Sequence, residues 1–120
     1  MAYKGKVFLV SPRSNNREFY ALKALKKDSV LRRNEIESIV LERDVCRLGN
    51  KNPFLTTLFA SFQSEEYLFF LMEFLNGGDL MFHMLNSRKF TEERARFYAA
   101  EILCGIQFMH SEGIIHRCVQ

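Results

Sequence analysis

The feature that most constrains this chain is a change of hydrophobic period at Asn76-Gly77-Gly78. Ahead of it, apolar residues mostly fall in short runs bounded by turn residues, as in strands. Behind it they recur every three or four residues, as in helices. Side chains alternate across a strand but return to one face of a helix only every 3.6 residues, so one segment cannot serve both states. The chain therefore reads as α+β, with a small antiparallel sheet and one helix in residues 1–75 and helices in residues 76–120.

The finer reading follows from turn and cap signals. Residues 5–10 and 18–25 are expected to form an antiparallel hairpin around the turn at 11–16, with Lys26-Lys27-Asp28 ending the second strand. Helical spacing of Ile36, Ile39, Val40, Val45 and Cys46 predicts a helix over 34–48, stopped by Gly49-Asn50. Residues 55–63 and 67–74 read as two more strands. Asp79 is placed to cap a short helix reaching about Asn86. Thr91 opens a longer helix over 91–111, with Glu92 and Glu93 at the positive end of its dipole and Gly113 as its stop. Residues 114–120 read as a short extended tail.

Composition narrows the function classes. Apolar residues make up 48% and charged residues 26% of the 120 positions, which excludes disorder and low complexity. No apolar run nears the roughly 20 residues that span a bilayer, and the apolar stretch at 7–10 is too short for a signal peptide, so no membrane segment and a cytoplasmic location are expected. Three cysteines, Cys46, Cys104 and Cys118, read as free thiols. Cys104, His110, His116 and Cys118 lack metal-ligand spacing, so no metal site is expected. Residues 1–60 hold 12 Lys and Arg against 6 Asp and Glu, whereas residues 61–120 hold 5 against 8. Without aromatic residues interleaved among those cations, nucleic acid is not an expected partner.

Three local features carry chemistry. Lys23 shares a strand face with Phe19, Ala21 and Leu25. An ammonium in that setting needs either an anionic partner or a path to water along its own stem, and the residues alone leave both open. Glu42 lies in the predicted helix near Ile39, Val45 and Cys46; it either faces solvent or reaches Lys23. The run Leu71-Met72-Glu73-Phe74-Leu75-Asn76-Gly77-Gly78-Asp79-Leu80 takes a strand into a Gly-Gly turn, exposing backbone groups to a planar ligand. Read alone, it is an ordinary turn followed by a helix cap.

In this order, the parts resemble the amino-terminal portion of a eukaryotic protein kinase domain, most nearly the protein kinase C group in its novel, calcium-independent branch. The resemblance rests on Tyr20-Ala21-Leu22-Lys23-Ala24-Leu25-Lys26-Lys27-Asp28, Asn52-Pro53-Phe54-Leu55-Thr56, the run from Leu68 to Met81, and Arg96-Phe97-Tyr98-Ala99-Ala100-Glu101-Ile102. It implies a small lobe without its first strand, followed by the first two helices of the large lobe. It implies a family reaction, ATP-dependent phosphorylation of protein serine or threonine. Lys23 would hold the α- and β-phosphates of ATP with Glu42 as its helix partner, and Val7 and Ala21 would cover the adenine. Met72 would be the gatekeeper, the Glu73 carbonyl and Leu75 N–H would meet the adenine edge, and Asp79 would reach the ribose.

The departures from that pattern bear on activity. Of the glycine-rich loop only Gly5 remains. Where the family reads H-R-D-L-K, this chain reads His116-Arg117-Cys118-Val119-Gln120, so Cys118 stands at the catalytic aspartate position. The magnesium ligands of the family lie beyond the last residue, so magnesium enters by resemblance only and no catalytic set is intact. Weak or absent ATP binding and an inactive chain are expected, with the tail after Arg117 marking a splice or gene-model boundary. The alternatives are a non-catalytic interaction or competitor module and an unstable truncated product. The apolar side chains of the helix 91–111 call for a protein partner, an oligomer or aggregation.

Overall fold

The computed structural model describes residues 5–15 and 17–115. Four strands, β1 (Lys6–Val10), β2 (Tyr20–Lys26), β3 (Leu58–Gln63) and β4 (Tyr67–Glu73), form one antiparallel sheet in the order β1-β2-β4-β3. Helices α1 (Lys27–Arg32) and α2 (Ile36–Leu48) lie between β2 and β3, with a single 3₁₀ turn at Gly49–Lys51. Helices α3 (Leu80–Ser87) and α4 (Glu92–Ser111) follow the strands. The chain divides into two compact units, one ending at Phe74 and one beginning at Leu75. None of the described helices is long and apolar enough to cross a membrane.

The expected elements occur in the expected order with one helix, α1, added between β2 and α2, and their boundaries move for identifiable reasons. Helix α2 begins at Ile36 rather than at 34 because Asn34 sits in the left-handed region at φ 53°. Strand β3 begins at Leu58 rather than at 55, and its pairing with β4 is shifted between Leu58 and Ala60, a bulge that places two residues opposite one. Lys26-Lys27-Asp28 does not simply end the second strand. Strand β2 runs through Lys26, and Lys27 starts α1, anchored by the buried Val30. Six residues are too few for helical periodicity to show in the sequence. Of the tail expected at 114–120, residues 116–120 lie outside the described residues.

The core of the first unit sits on one face of the sheet. Leu25, Phe70 and Leu58 from three strands pack with Val30 of α1 and Ile39 of α2, and Cys46, Leu68 and Met72 pack against them. The opposite face carries aromatic pairs instead: Tyr20 meets Phe59 edge-on at 5.1 Å, and Phe62 stacks on Phe69 at 5.1 Å. Gly49 permits the exit from α2, since a Cβ there would lie 2.4 Å from the Thr56 carbonyl oxygen. Because that oxygen is backbone and cannot step aside cheaply, Gly49→Ala is expected to destabilise the fold by about 1–3 kcal/mol, read from its urea midpoint.

In the second unit both helices begin on side-chain caps. Asp79 accepts from the Phe82 N–H at 2.7 Å, and Thr91 accepts from the Arg94 N–H at 3.3 Å. Helix α4 ends where the Gly113 N–H donates to the His110 carbonyl at 3.0 Å and the Ile114 N–H to that of Met109 at 2.9 Å, with Gly113 at φ 77°. Phe97 and Leu103 of α4 remain 61% and 63% exposed.

Candidate functional site

The site begins with a lysine on an inner strand. Strand β2 is paired on both sides, so Lys23 is not an edge residue, and only 14% of its side chain is exposed. Its ammonium forms an ion pair with the Glu42 carboxylate of α2, whose side chain is 32% exposed. Of the two alternatives open in the sequence, the internal pair is the one observed. The pair lies on the helix-bearing face, because Lys23 shares its strand face with Leu25, which packs against Ile39.

Register places the other candidates around it. Val7 of β1 is opposite Lys23, and Leu9 is opposite Ala21. Ala21 is in turn opposite Met72 of β4. Directly paired residues point to the same side of a sheet, so Val7, Ala21, Lys23 and Met72 share one face. Helix α2 covers the β3–β4 side of that face, whereas Val7 remains 61% exposed. The result is an open, apolar shelf with one held cation at its border. Ala21 contributes little bulk there, which leaves room for a flat ligand.

Residues 3–119 match the family pattern described as protein kinase domain. The chain belongs to the protein kinase domain family. It is 52% identical over 113 residues to protein kinase C delta type of Homo sapiens and 53% identical over 113 residues to protein kinase C-like 1 of Caenorhabditis elegans. It is 50% identical over 113 residues to protein kinase C eta type of Mus musculus. Each alignment covers 94% of this chain, and the chain spans only 16–17% of the length of these relatives.

Not every residue singled out in this kinase-family sequence joins the shelf. Glu73 lies one position beyond Met72, so its side chain turns to the other face, where it accepts from the Thr57 N–H at 3.1 Å. The Glu73 N–H also donates to the Thr57 carbonyl at 3.1 Å, which pins the end of β4. Leu75 and Asp79 belong to the second unit; Leu75 is 67% exposed, and Asp79 uses one carboxylate oxygen as the α3 cap. His116, Arg117 and Cys118 lie outside the described residues.

Sequence reasoning missed the back of the shelf. A narrow cleft behind Met72 is lined by Glu42, Arg43, Cys46, Leu58 and Phe70. A wider groove of about 240 Å³ opens between α2 and the β3–β4 strands, bordered by Ile39, Val40, Arg43 and Phe62. Leu58 and Phe70 looked like ordinary strand residues, and only the packing of α2 makes them pocket walls. Burial pushes the Cys46 thiol up, the Glu42 carboxylate adds to the rise, and Lys23 opposes it. Less thiolate means slower alkylation. Iodoacetamide at pH 8 is expected to modify the exposed Cys104 at least about tenfold faster than Cys46, measured by peptide mass spectrometry.

Proposed function

We propose that the first unit is a nucleotide-binding small lobe of serine/threonine kinase type, and that this chain does not itself transfer the phosphoryl group. The observation that supports the reading is the Lys23–Glu42 pair beside the open Val7–Ala21 shelf. The residues present suit ATP. A cation held by a carboxylate answers the α- and β-phosphate oxygens, and exposed apolar side chains answer the adenine face. Met72 closes the inner end, and the Glu73 carbonyl accepts from the adenine edge.

When bound, ATP with magnesium supplies an activated phosphoryl group. The residues of this chain contribute binding and orientation. Glu42 keeps the Lys23 ammonium aimed at the shelf, and Val7 and Ala21 exclude water from the adenine. The position of the catalytic base holds Cys118, and a thiol is a poorer proton acceptor for a substrate hydroxyl than the aspartate of the family. A cytoplasmic location and a protein partner over the exposed apolar residues of α4 complete the proposal.

The test is a thermal-shift titration. Only binding to the native state raises the melting temperature. At Mg-ATP fivefold above its Kd the gain is about 1 kcal/mol, or roughly 4–8 °C for a domain of this size. No shift up to 10 mM nucleotide would refute the binding reading. Transfer is tested separately with Mg-ATP labelled at the γ-phosphate and a basic serine peptide: no labelled peptide is expected, and magnesium-dependent labelling would refute inactivity.

A further inference from the structure

We propose that Ser87 is a phosphorylation site whose phosphate is received by Arg94. Ser87 is exposed at the last position of α3, and the chain leaves the helix through Arg88 at φ 58°. The Lys89 N–H then donates to the Ser87 carbonyl at 2.7 Å, so the exposed serine sits at a chain reversal. Arg94, in the first turn of α4, donates from Nη1 to the Ser87 Oγ at 3.3 Å.

Arg94 is held in place by its other contacts. Its Nε and Nη2 donate to the Tyr98 hydroxyl at 3.1 and 3.0 Å. The guanidinium lies over the Phe90 ring at 4.7 Å and the Tyr98 ring at 5.4 Å. Among the described residues, the contacts of the Arg94 guanidinium are thus two hydroxyls and two rings, with no carboxylate; the nearby Glu92 is paired with Arg96 at 2.6 Å. A half-buried arginine with a fixed orientation and only neutral partners is a poorly compensated cation. Its free end points at an exposed hydroxyl. Esterification of that hydroxyl would replace one neutral acceptor by three anionic oxygens at the same place.

The opposing effect is the partial negative charge at the end of α3, which disfavours an anion at its last residue. Arg94 in contact and Arg88 and Lys89 next along the chain set three full positive charges against that partial charge. The same two flanking cations suit a separate serine/threonine kinase with an acidic peptide groove. That kinase would transfer the γ-phosphoryl of ATP. The Oγ–phosphorus bond forms as the bond from phosphorus to the β-phosphate oxygen breaks, ADP leaves, and the hydroxyl proton passes to the base of that kinase.

The test compares the unmodified chain with chain carrying phosphoserine at position 87 by amber suppression. Hydrogen exchange of amides 87–94 is expected to slow by about tenfold on modification, and Arg94→Ala should remove that difference. Should Arg94→Ala loosen the helices, Arg94→Lys keeps the charge but not the Tyr98 contacts, and the slowing should be partial. Treating the unmodified chain with a basophilic serine/threonine kinase and Mg-ATP should place phosphate on Ser87, read by mass spectrometry. Faster exchange on modification, equal slowing in Arg94→Ala, or phosphate only at other residues would overturn the proposal.

Discussion

Replacing Lys23 by methionine is expected to abolish the rise in melting temperature that the proposed binding of Mg-ATP would produce. Methionine keeps the length and most of the apolar stem but removes the only formal charge that β2 adds to the shelf face. Charge-assisted bonds to phosphate are among the stronger hydrogen bonds, and without them the adenine shelf retains only area-dependent attraction. The ligand-free protein will also change, because Glu42 loses its partner. With its side chain 32% exposed, that carboxylate can recover water, so the cost should be well below the several kcal/mol of a fully buried orphaned charge. The decisive quantity is therefore the difference between melting temperatures with and without nucleotide. A Lys23→Met protein that keeps the whole difference would remove Lys23 from the binding site. Glu42→Gln is a useful companion, since it keeps the ammonium but loosens its aim and should reduce the shift without erasing it.

The second large effect is expected from Phe70→Ala. Phe70 is 6% exposed and touches the packing of β4, α2 and β3 at once. Removing a buried phenyl ring costs about 3–5 kcal/mol, the transfer of the ring plus the void it leaves. At roughly 0.05–0.15 kcal/mol per residue, a unit of 74 residues has about 4–11 kcal/mol in all. The variant should therefore keep only about −1 to 8 kcal/mol, with a large drop in the urea midpoint and partial unfolding at 25 °C at the low end of that range. Phe62→Ala is the control: it removes the same ring from the exposed aromatic face, where Phe62 stacks on Phe69, and should cost about 1 kcal/mol or less. A Phe70→Ala loss no larger than that of Phe62→Ala would mean that the core is centred elsewhere.

The two residues differ in how legible they were. In sequence, Phe62 and Phe70 are both aromatic residues in strands, and nothing local separates them. Alternation assigns residues to two faces but does not say which face a helix will cover. Strand β3 adds to the difficulty, because the bulge between Leu58 and Ala60 changes the parity part-way along. Helix α1 escaped notice for a different reason: six residues ending in Arg32 carry a single buried side chain, Val30, which is too little to register as a period.

Much else was readable, because it depends on neighbours along the chain. The caps at Asp79 and Thr91, the stop at Gly113 and the change from strands to helices at the Gly-Gly turn all arise from backbone groups a few residues apart. Family membership was also readable, since the order of short motifs survives without coordinates. The partner of Lys23 was not, as far as the residues themselves could say. A lysine on an edge strand and a lysine on an inner strand have the same sequence, but β1 and β4 on either side of β2 leave its ammonium facing α2 rather than water. Apart from α1, the sequence by itself determined the elements and their order, because propensity, capping and turn chemistry act over three or four residues. Only the tertiary structure decided which face was covered and which charge met Lys23, because burial and ion pairing depend on segments 19 residues apart being brought together.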